Sequence, residues 1–323
     1  MKRRKFIWLV GGAALAWPLA AQAQQPVKSR RVAIVHSGIP VSELTATSRT
    51  FWVRRFFEEL RTLGLVEGAN LVIERSSAEG SSSRFATLAA DIVGAKPDVI
   101  VANSNALVSE LMKATASIPI VAILGDPIAD GLTASLARPG GNLTGVSIDG
   151  GPGIFAKRLQ ILREAVPAAT KFVYLAGTRA EVQRSVIAAK TRLLAEVNET
   201  ELRRTFAELA QEKTDAVVMS DAGSFLASRA LIIELAAKHR LPAIYTYRQF
   251  AEAGGLLAYG PELGELAKRM ALDVQQILGG TKAGDIPIYQ PTKYELVINL
   301  KTAKALGLTL PQAVLAQADE VIE

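Results

Sequence analysis

The sequence predicts an α/β protein of two similar lobes joined by a hinge, and three observations predict it. Short, continuous apolar runs alternate with amphipathic helical patterns from residue 32 onward. The alternation breaks at the turn cluster Arg138-Pro139-Gly140-Gly141-Asn142 and then starts again. After Tyr245 the chain turns to shorter elements, with one long helix and a last strand. Continuous apolar strands between amphipathic helices mean a parallel sheet covered on both faces. A chain that leaves one lobe, builds another and comes back crosses between them several times, which makes a hinge.

In the first run, Val32-Ala33-Ile34-Val35 reads as a buried strand. Thr50 to Leu63 reads as a helix with Val53, Phe56, Phe57, Leu60 and Leu63 on one face. Leu71 to Glu74 is a strand and Phe85 to Val93 a helix. Pro97 to Ala102 is a strand and Leu107 to Thr115 a helix. Ile118 to Leu124 is a strand and Ile128 to Leu136 a helix. Leu143 to Ser147 leads away from the turn cluster as a short strand.

The second run begins with a helix over Phe155 to Val166, a strand at Phe172 to Leu175 and a helix from Ala180 to Lys190. Leu193 to Val197 reads as a strand, Glu201 to Leu209 as a helix and Ala216 to Met219 as a strand. Phe225 to His239 is a helix and Ala243-Ile244-Tyr245 a strand. Leu256 to Tyr259 is a strand, Leu263 to Leu278 a long helix closed by Gly279-Gly280, Tyr294 to Leu300 a last strand and Thr302 to Leu306 a short helix. The crossover falls near Ser147–Pro152. Lobe 1 is expected to hold residues 30–146 plus 260–282, and lobe 2 residues 147–258 plus 285–323.

Residues 1–23 carry an address. Lys2-Arg3-Arg4-Lys5 is basic, Phe6 to Ala20 is apolar, and Ala21-Gln22-Ala23 supplies a small-residue cleavage site, so the segment reads as a signal peptide cut near Ala23. The apolar run is too short and too broken by Gly11, Gly12 and Pro18 to serve as a membrane span. Arg3-Arg4 followed by Phe6-Ile7 resembles a twin-arginine export signal, and an ordinary secretory signal fits the same residues; both routes stay open. The expected location is the periplasm.

Composition excludes several classes. The chain has no cysteine, so disulfides, catalytic thiols, thiolate metal sites and an N-terminal lipid anchor on cysteine are ruled out. Of 37 lysines and arginines, four leave with the leader, and the remaining 33 face 31 acids, which is no nucleic-acid footprint. Charges interrupt every later apolar stretch, so no stable membrane insertion is expected. Two histidines, His36 and His239, do not make a metal centre, and no metal or cofactor is expected.

In open α/β sheets, ligands sit beyond the carboxyl ends of the strands. That rule selects the loops carrying Ser37, Asn103, Ser104, Asp126, Thr178, Asp221 and Tyr245 as candidate ligand-binding residues. Asp126 and Asp221 suit a cationic ammonium. Ser37, Asn103 and Ser104, with helix N-terminal amides, suit a carboxylate, and tyrosines supply flat apolar contact. Ser104, Asp126, Ser220 and Asp221 also stand where helix N-caps belong, and capping alone accounts for their types. No GxGxxG, Walker loop or GxSxG elbow is present, and no histidine or lysine accompanies the carboxylates in a catalytic spacing, so an enzyme is not expected. An exported enzyme stands only as a third reading.

Several stretches together resemble the ABC-transporter substrate-binding protein family that includes tryptophan- and tyrosine-binding members. They are the leader, Gly125-Asp126-Pro127, Arg138 to Ser147, Pro242 to Tyr245, and above all the block from Gln290 to Leu308. The resemblance implies two Rossmann-like lobes joined by a multi-strand hinge, the type I periplasmic-binding fold, with a small-molecule solute in the interlobe cleft. It implies an ABC permease and its ATPase in the inner membrane as partners, and no catalysis. For amino-acid-binding members it implies ligand roles at positions matching Ser37, Asn103, Ser104, Asp126 and Asp221. The stretch from Thr178 to Asn198 is shorter than the family pattern, and Ser220 to Gly223 keeps that of aromatic-amino-acid binders only in part. The expected function is the periplasmic substrate-binding component of an ABC importer for a small polar solute, an amino acid or related compound. The alternative is an exported sensor that presents the solute to a membrane receptor or kinase.

Overall fold

A computed structural model describes residues 29–148, 150–177, 179–184, 189–194 and 196–323. The leader assigned above, residues 1–23, and Thr178 lie outside the described residues. Two sheets organise the chain. The first is built from β1 (Arg30–His36), β2 (Leu71–Ser77), β3 (Val99–Asn103), β4 (Ile120–Leu124) and β5 (Leu143–Ser147) in the order β2-β1-β3-β4-β5, all parallel. Its helices are α1 (Phe51–Thr62), α2 (Phe85–Gly94) and α3 (Asn105–Ala114). The central strands are buried along their length, as the unbroken Val/Ile/Ala runs require.

The second sheet contains β6 (Phe172–Ala176), β7 (Lys190–Leu193), β8 (Ala216–Met219), β9 (Ala243–Tyr245), β10 (Leu257–Pro261), β11 (Tyr294–Asn299) and β12 (Glu320–Ile322). Their order is β12-β11-β10-β9-β8-β6-β7, with β11 antiparallel to β10 and the other pairs parallel. Around it lie α4 (Pro152–Ala165), α5 (Arg179–Arg184), α6 (Glu199–Gln211), α7 (Gly223–Ala227), α8 (Arg229–Lys238) and α9 (Arg248–Glu252). After α10 (Leu263–Leu278) come α11 (Leu300–Leu306) and α12 (Gln312–Leu315). The two-lobed α/β architecture read from the sequence is the architecture observed.

α10 belongs to the first lobe although it follows β10 of the second. It packs against α1 and against β3, β4 and β5. Its inward face, Leu266, Met270, Val274 and Ile277, recurs every three or four residues, as an amphipathic helix demands. The chain therefore passes between the lobes three times: after β5, at Glu262, and between Tyr289 and β11. Gly145 permits a tight join in β5. Its φ is +135°, and a Cβ there would stand 2.1 Å from the Ala122 carbonyl oxygen.

Several local expectations are corrected. Residues 128–136 form turns, not a helix: Gly131 has φ +71°, and the Thr133 hydroxyl donates to the carbonyls of Ser135 and Pro139. The strand expected over 193–197 is β7, starting at Lys190. It is a charged edge whose Arg192 and Lys190 pair with Glu208 and Glu212, so no apolar run marks it. The helix expected over 225–239 breaks at Ser228 into α7 and α8. Residues 284–289 run beside β5, with Ser147 N donating to Tyr289 O at 2.7 Å and Tyr289 N to Gly145 O at 2.8 Å. The return to the second sheet therefore comes after Tyr289 and not at residue 285.

Candidate functional site between the lobes

The carboxyl ends of β1, β3 and β4 carry three of the expected loops. Ser37 and Asn103 satisfy each other: Ser37 N donates to Asn103 Oδ1 at 2.8 Å, and Asn103 Nδ2 donates to Ser37 Oγ at 2.9 Å. Ser104 is the N-cap of α3 but makes no side-chain cap bond. Its φ of +71° is a left-handed conformation that costs a non-glycine residue on the order of 1 kcal/mol, held between the end of β3 and the start of α3. Asp126 accepts at Oδ1 from Ile128 N (3.1 Å) and Ala129 N (3.0 Å), so that oxygen fixes its own turn.

His36, just before Ser37, shapes this lip. Its Nδ1 accepts from Gly38 N at 2.9 Å and Ile39 N at 2.7 Å, and its ring stacks on Trp52 with centroids 5.8 Å apart. Burial lowers its pKa to about 3, so the imidazole is neutral and its remaining proton is on Nε2.

The second lobe contributes a buried polar cluster. Gly177 directly follows β6, and a Cβ there would come within 2.6 Å of the Ala222 side chain, so only glycine lets the loops after β6 and β8 meet. Glu181 Oε2 accepts from Gly177 N and from Ser220 Oγ, both at 2.8 Å. Asp221 lies beside Glu181, and the Tyr247 hydroxyl donates to the Asp221 carbonyl at 3.1 Å. Burial first, and the Asp221 charge second, push Glu181 up to about 7. Burial also raises the Tyr247 phenol, which feels Arg158 as well. Arg158 is 1% exposed; its Nε donates to Tyr259 O at 2.8 Å, while Nη1 has no hydrogen-bond partner among the described residues. The strand-end rule reached Tyr247 only as part of the loop after Ala243-Ile244-Tyr245, and it reached neither Glu181 nor Arg158. A long charged residue inside the apolar face of a helix, as Arg158 is in α4, was the available signal.

Tyr245 is corrected. It is 1% exposed and its ring lies flat on Phe250, centroids 4.5 Å apart at 7°, so the ring is core and offers no face to a ligand. Two residues on, Tyr247 is the tyrosine whose hydroxyl reaches the cluster.

A cavity of about 300 Å³ opens between the lobes. One wall is the N-terminal end of α1, with Arg49, Phe51 and Trp52. The other is α7–α9, with Leu226, Arg229 and Gln249, and Leu263 closes the hinge side. It has the size of a small-molecule site. A larger hollow, about 560 Å³, lies at the amino ends of β6 and β8 around Phe172 and Thr214, at the edge opposite the strand ends that bear ligands in such sheets. Among the described residues no His/Asp/Glu group is arranged to hold a metal ion, and no helix is long and apolar enough to cross a membrane.

The family model described as ABC transporter substrate binding protein matches residues 42–322. A tyrosine-binding protein of Clostridioides difficile is 26% identical over 268 residues, which is 78% of this chain and 75% of that protein. Among solved structures, an ABC domain from Streptococcus pneumoniae in complex with L-Trp superposes with a TM-score of 0.78 at 22% identity, covering 91% of this chain and all of that one. A conserved domain protein from Vibrio cholerae gives 0.77 at 23% identity with the same coverage. These structures share the fold.

Proposed function

This chain belongs to the ABC transporter substrate-binding protein family, and from that premise we propose that it is the periplasmic receptor of an ABC importer, closing over a small polar solute between its lobes. The solute is an amino acid or a related compound, carried without chemical change to a permease and its ATPase. The cavity of about 300 Å³ walled by both lobes carries the reading, because a ligand that touches both walls favours the closed arrangement. The basic-apolar-small leader supports export, and the tyrosine and tryptophan bound by the relatives support an amino acid. Ser37, Asn103, Ser104, Asp126 and Asp221 remain candidates for ligand contact in this reading, although none of them lines that cavity.

Thermal shift and calorimetry against a panel of amino acids and small organic acids test it. A ligand at 100 times its Kd stabilises the folded state by about 2.7 kcal/mol. Stabilisation by one compound class is the expected result. A flat response across the panel overturns the reading.

A further inference from the structure

Charge is distributed unevenly around the interlobe cavity. Its lining holds three arginines, Arg49, Arg54 and Arg229, against one acid, Glu252, which leaves two positive charges in excess. Partners outside the lining decide which two. Glu252 accepts from Arg248 Nε at 2.7 Å, so the single acid is taken. Arg54 has its Nε 3.9 Å from Glu58 Oε1, donates to the Ser48 carbonyl at 3.0 Å and stands over the Phe51 ring. Among the described residues Arg229 donates only to the Leu226 carbonyl, at 3.3 Å, and the Arg49 guanidinium makes no hydrogen bond or ion pair. Glu43, near Arg49 in the chain, accepts instead from the Ser48 hydroxyl at 3.1 Å and from the Arg49 backbone amide at 2.7 Å. The two uncompensated guanidiniums therefore stand on opposite walls, Arg49 just ahead of α1 in the first lobe and Arg229 at the start of α8 in the second. A guanidinium stays charged at any ordinary pH, and its fork of donors matches a carboxylate.

We infer that this cavity takes a dianion, a dicarboxylate with an apolar body, with one carboxylate on Arg49 and the other on Arg229. Phe51, Trp52, Leu226 and Leu263 pack on the body between them. This deepens the receptor reading and rests on it: the compound related to amino acids is one that carries a second carboxylate in place of the ammonium. A zwitterion is served less well, because its ammonium enters an excess of positive charge and finds no free carboxylate in the lining. The same charges bear on closure. With the cavity empty, Arg49 and Arg229 repel each other across it and favour parted lobes. A dianion between them removes the repulsion and joins the walls, so it binds the closed arrangement better than the open one. A monoanion cancels only half of that charge.

Calorimetry with matched probes tests the assignment. Glutarate and phthalate are the dianions, their half-amides are monoanions of the same shape, and L-tyrosine is the zwitterion. At least one dianion is expected to bind about 10-fold or more tightly than its half-amide. Arg49→Gln and Arg229→Gln, on separate lobes, are each expected to weaken that dianion by about 10- to 100-fold and its half-amide by much less, so that the preference collapses. Either variant serves should the other fold poorly, and melting curves report which does. Raising salt from about 20 mM to about 500 mM is expected to weaken the dianion more than the half-amide. A dianion bound no more tightly than its half-amide, or indifferent to both substitutions, overturns this inference. So does binding of L-tyrosine or another amino acid with neither dianion, and in each of these cases the receptor reading stands. Binding by no probe and by no member of the wider amino-acid and organic-acid panel overturns both.

Discussion

The imidazole of His36 lies on the indole of Trp52, the two planes 27° apart, and so links the end of β1 to the start of α1. Burial holds the ring neutral, with its pKa lowered to about 3 from the usual 6.5. A depressed pKa adds stability above pH 6.5 that is lost as pH falls toward 3. Imidazolium quenches indole; with Trp8→Phe and Trp17→Phe leaving Trp52 as the single indole, its emission is therefore expected to stay level between pH 8 and pH 5. A step centred near pH 6.5 would contradict the buried neutral ring.

Glu181 titrates on the opposite side of the balance. Its folded pKa, raised to about 7, lies above the usual 4.5, so its contribution is complete below pH 4.5 and is lost as pH rises through 7. Glu181→Gln removes that loss. Urea unfolding at pH 5 and pH 8 is expected to show a smaller fall for the variant than for the parent. An equally steep fall would mean that Glu181 is ionised throughout.

Asp273 is fully buried in α10, and its Oδ1 stands 3.0 Å from Arg269 Nε. Burial raises its pKa to about 7 against the opposing pull of Arg269. Arg269→Ala strands a charge in the first lobe at pH 8, with an expected cost of about 3 kcal/mol in denaturant unfolding. At pH 5, where Asp273 is protonated, the same substitution is expected to cost much less. Equal costs at the two pH values would count against the assignment.

Gly145 and Gly153 make a contrasting pair. Alanine at 145 meets the Ala122 backbone at 2.1 Å with φ at +135°, and is expected to cost about 3 kcal/mol or prevent folding. Alanine at 153 meets nothing within 4 Å inside α4 and is expected to stabilise by up to about 1 kcal/mol. Melting curves of the two variants should move in opposite directions.

The strands and helices with strong apolar periodicity were legible from residue order alone. β8 and β9 fall on Ala216–Met219 and Ala243–Tyr245, and α10 on Leu263–Leu278, as read. Elements whose identity depends on tertiary pairing were not. β7 is charged, and β12 is three residues paired to β11 from the far end of the chain. The strand ends that bear the candidate loops were legible, although none of Ser37, Asn103, Ser104, Asp126, Asp221 and Tyr245 lines the interlobe cavity. Which side chains point into it was not, since Ser37 and Asn103 consume each other's capacity and Tyr245 turns inward while Tyr247 reaches the polar cluster. Arg229 and Gln249 were missed because nothing local marks a side chain that faces another lobe.

α10 seals the first sheet from a position that the ribosome reaches only after β10 is made. Gln275 Nε2 donates to Leu63 O across 212 residues of chain. A nascent polypeptide therefore carries a half-clad amino-terminal sheet through most of its synthesis, and the last contacts to form are the most distant in sequence. Stopping translation after Pro261 would leave a greasy flank with no cover, a species for chaperones and proteases and not a stable half of the molecule.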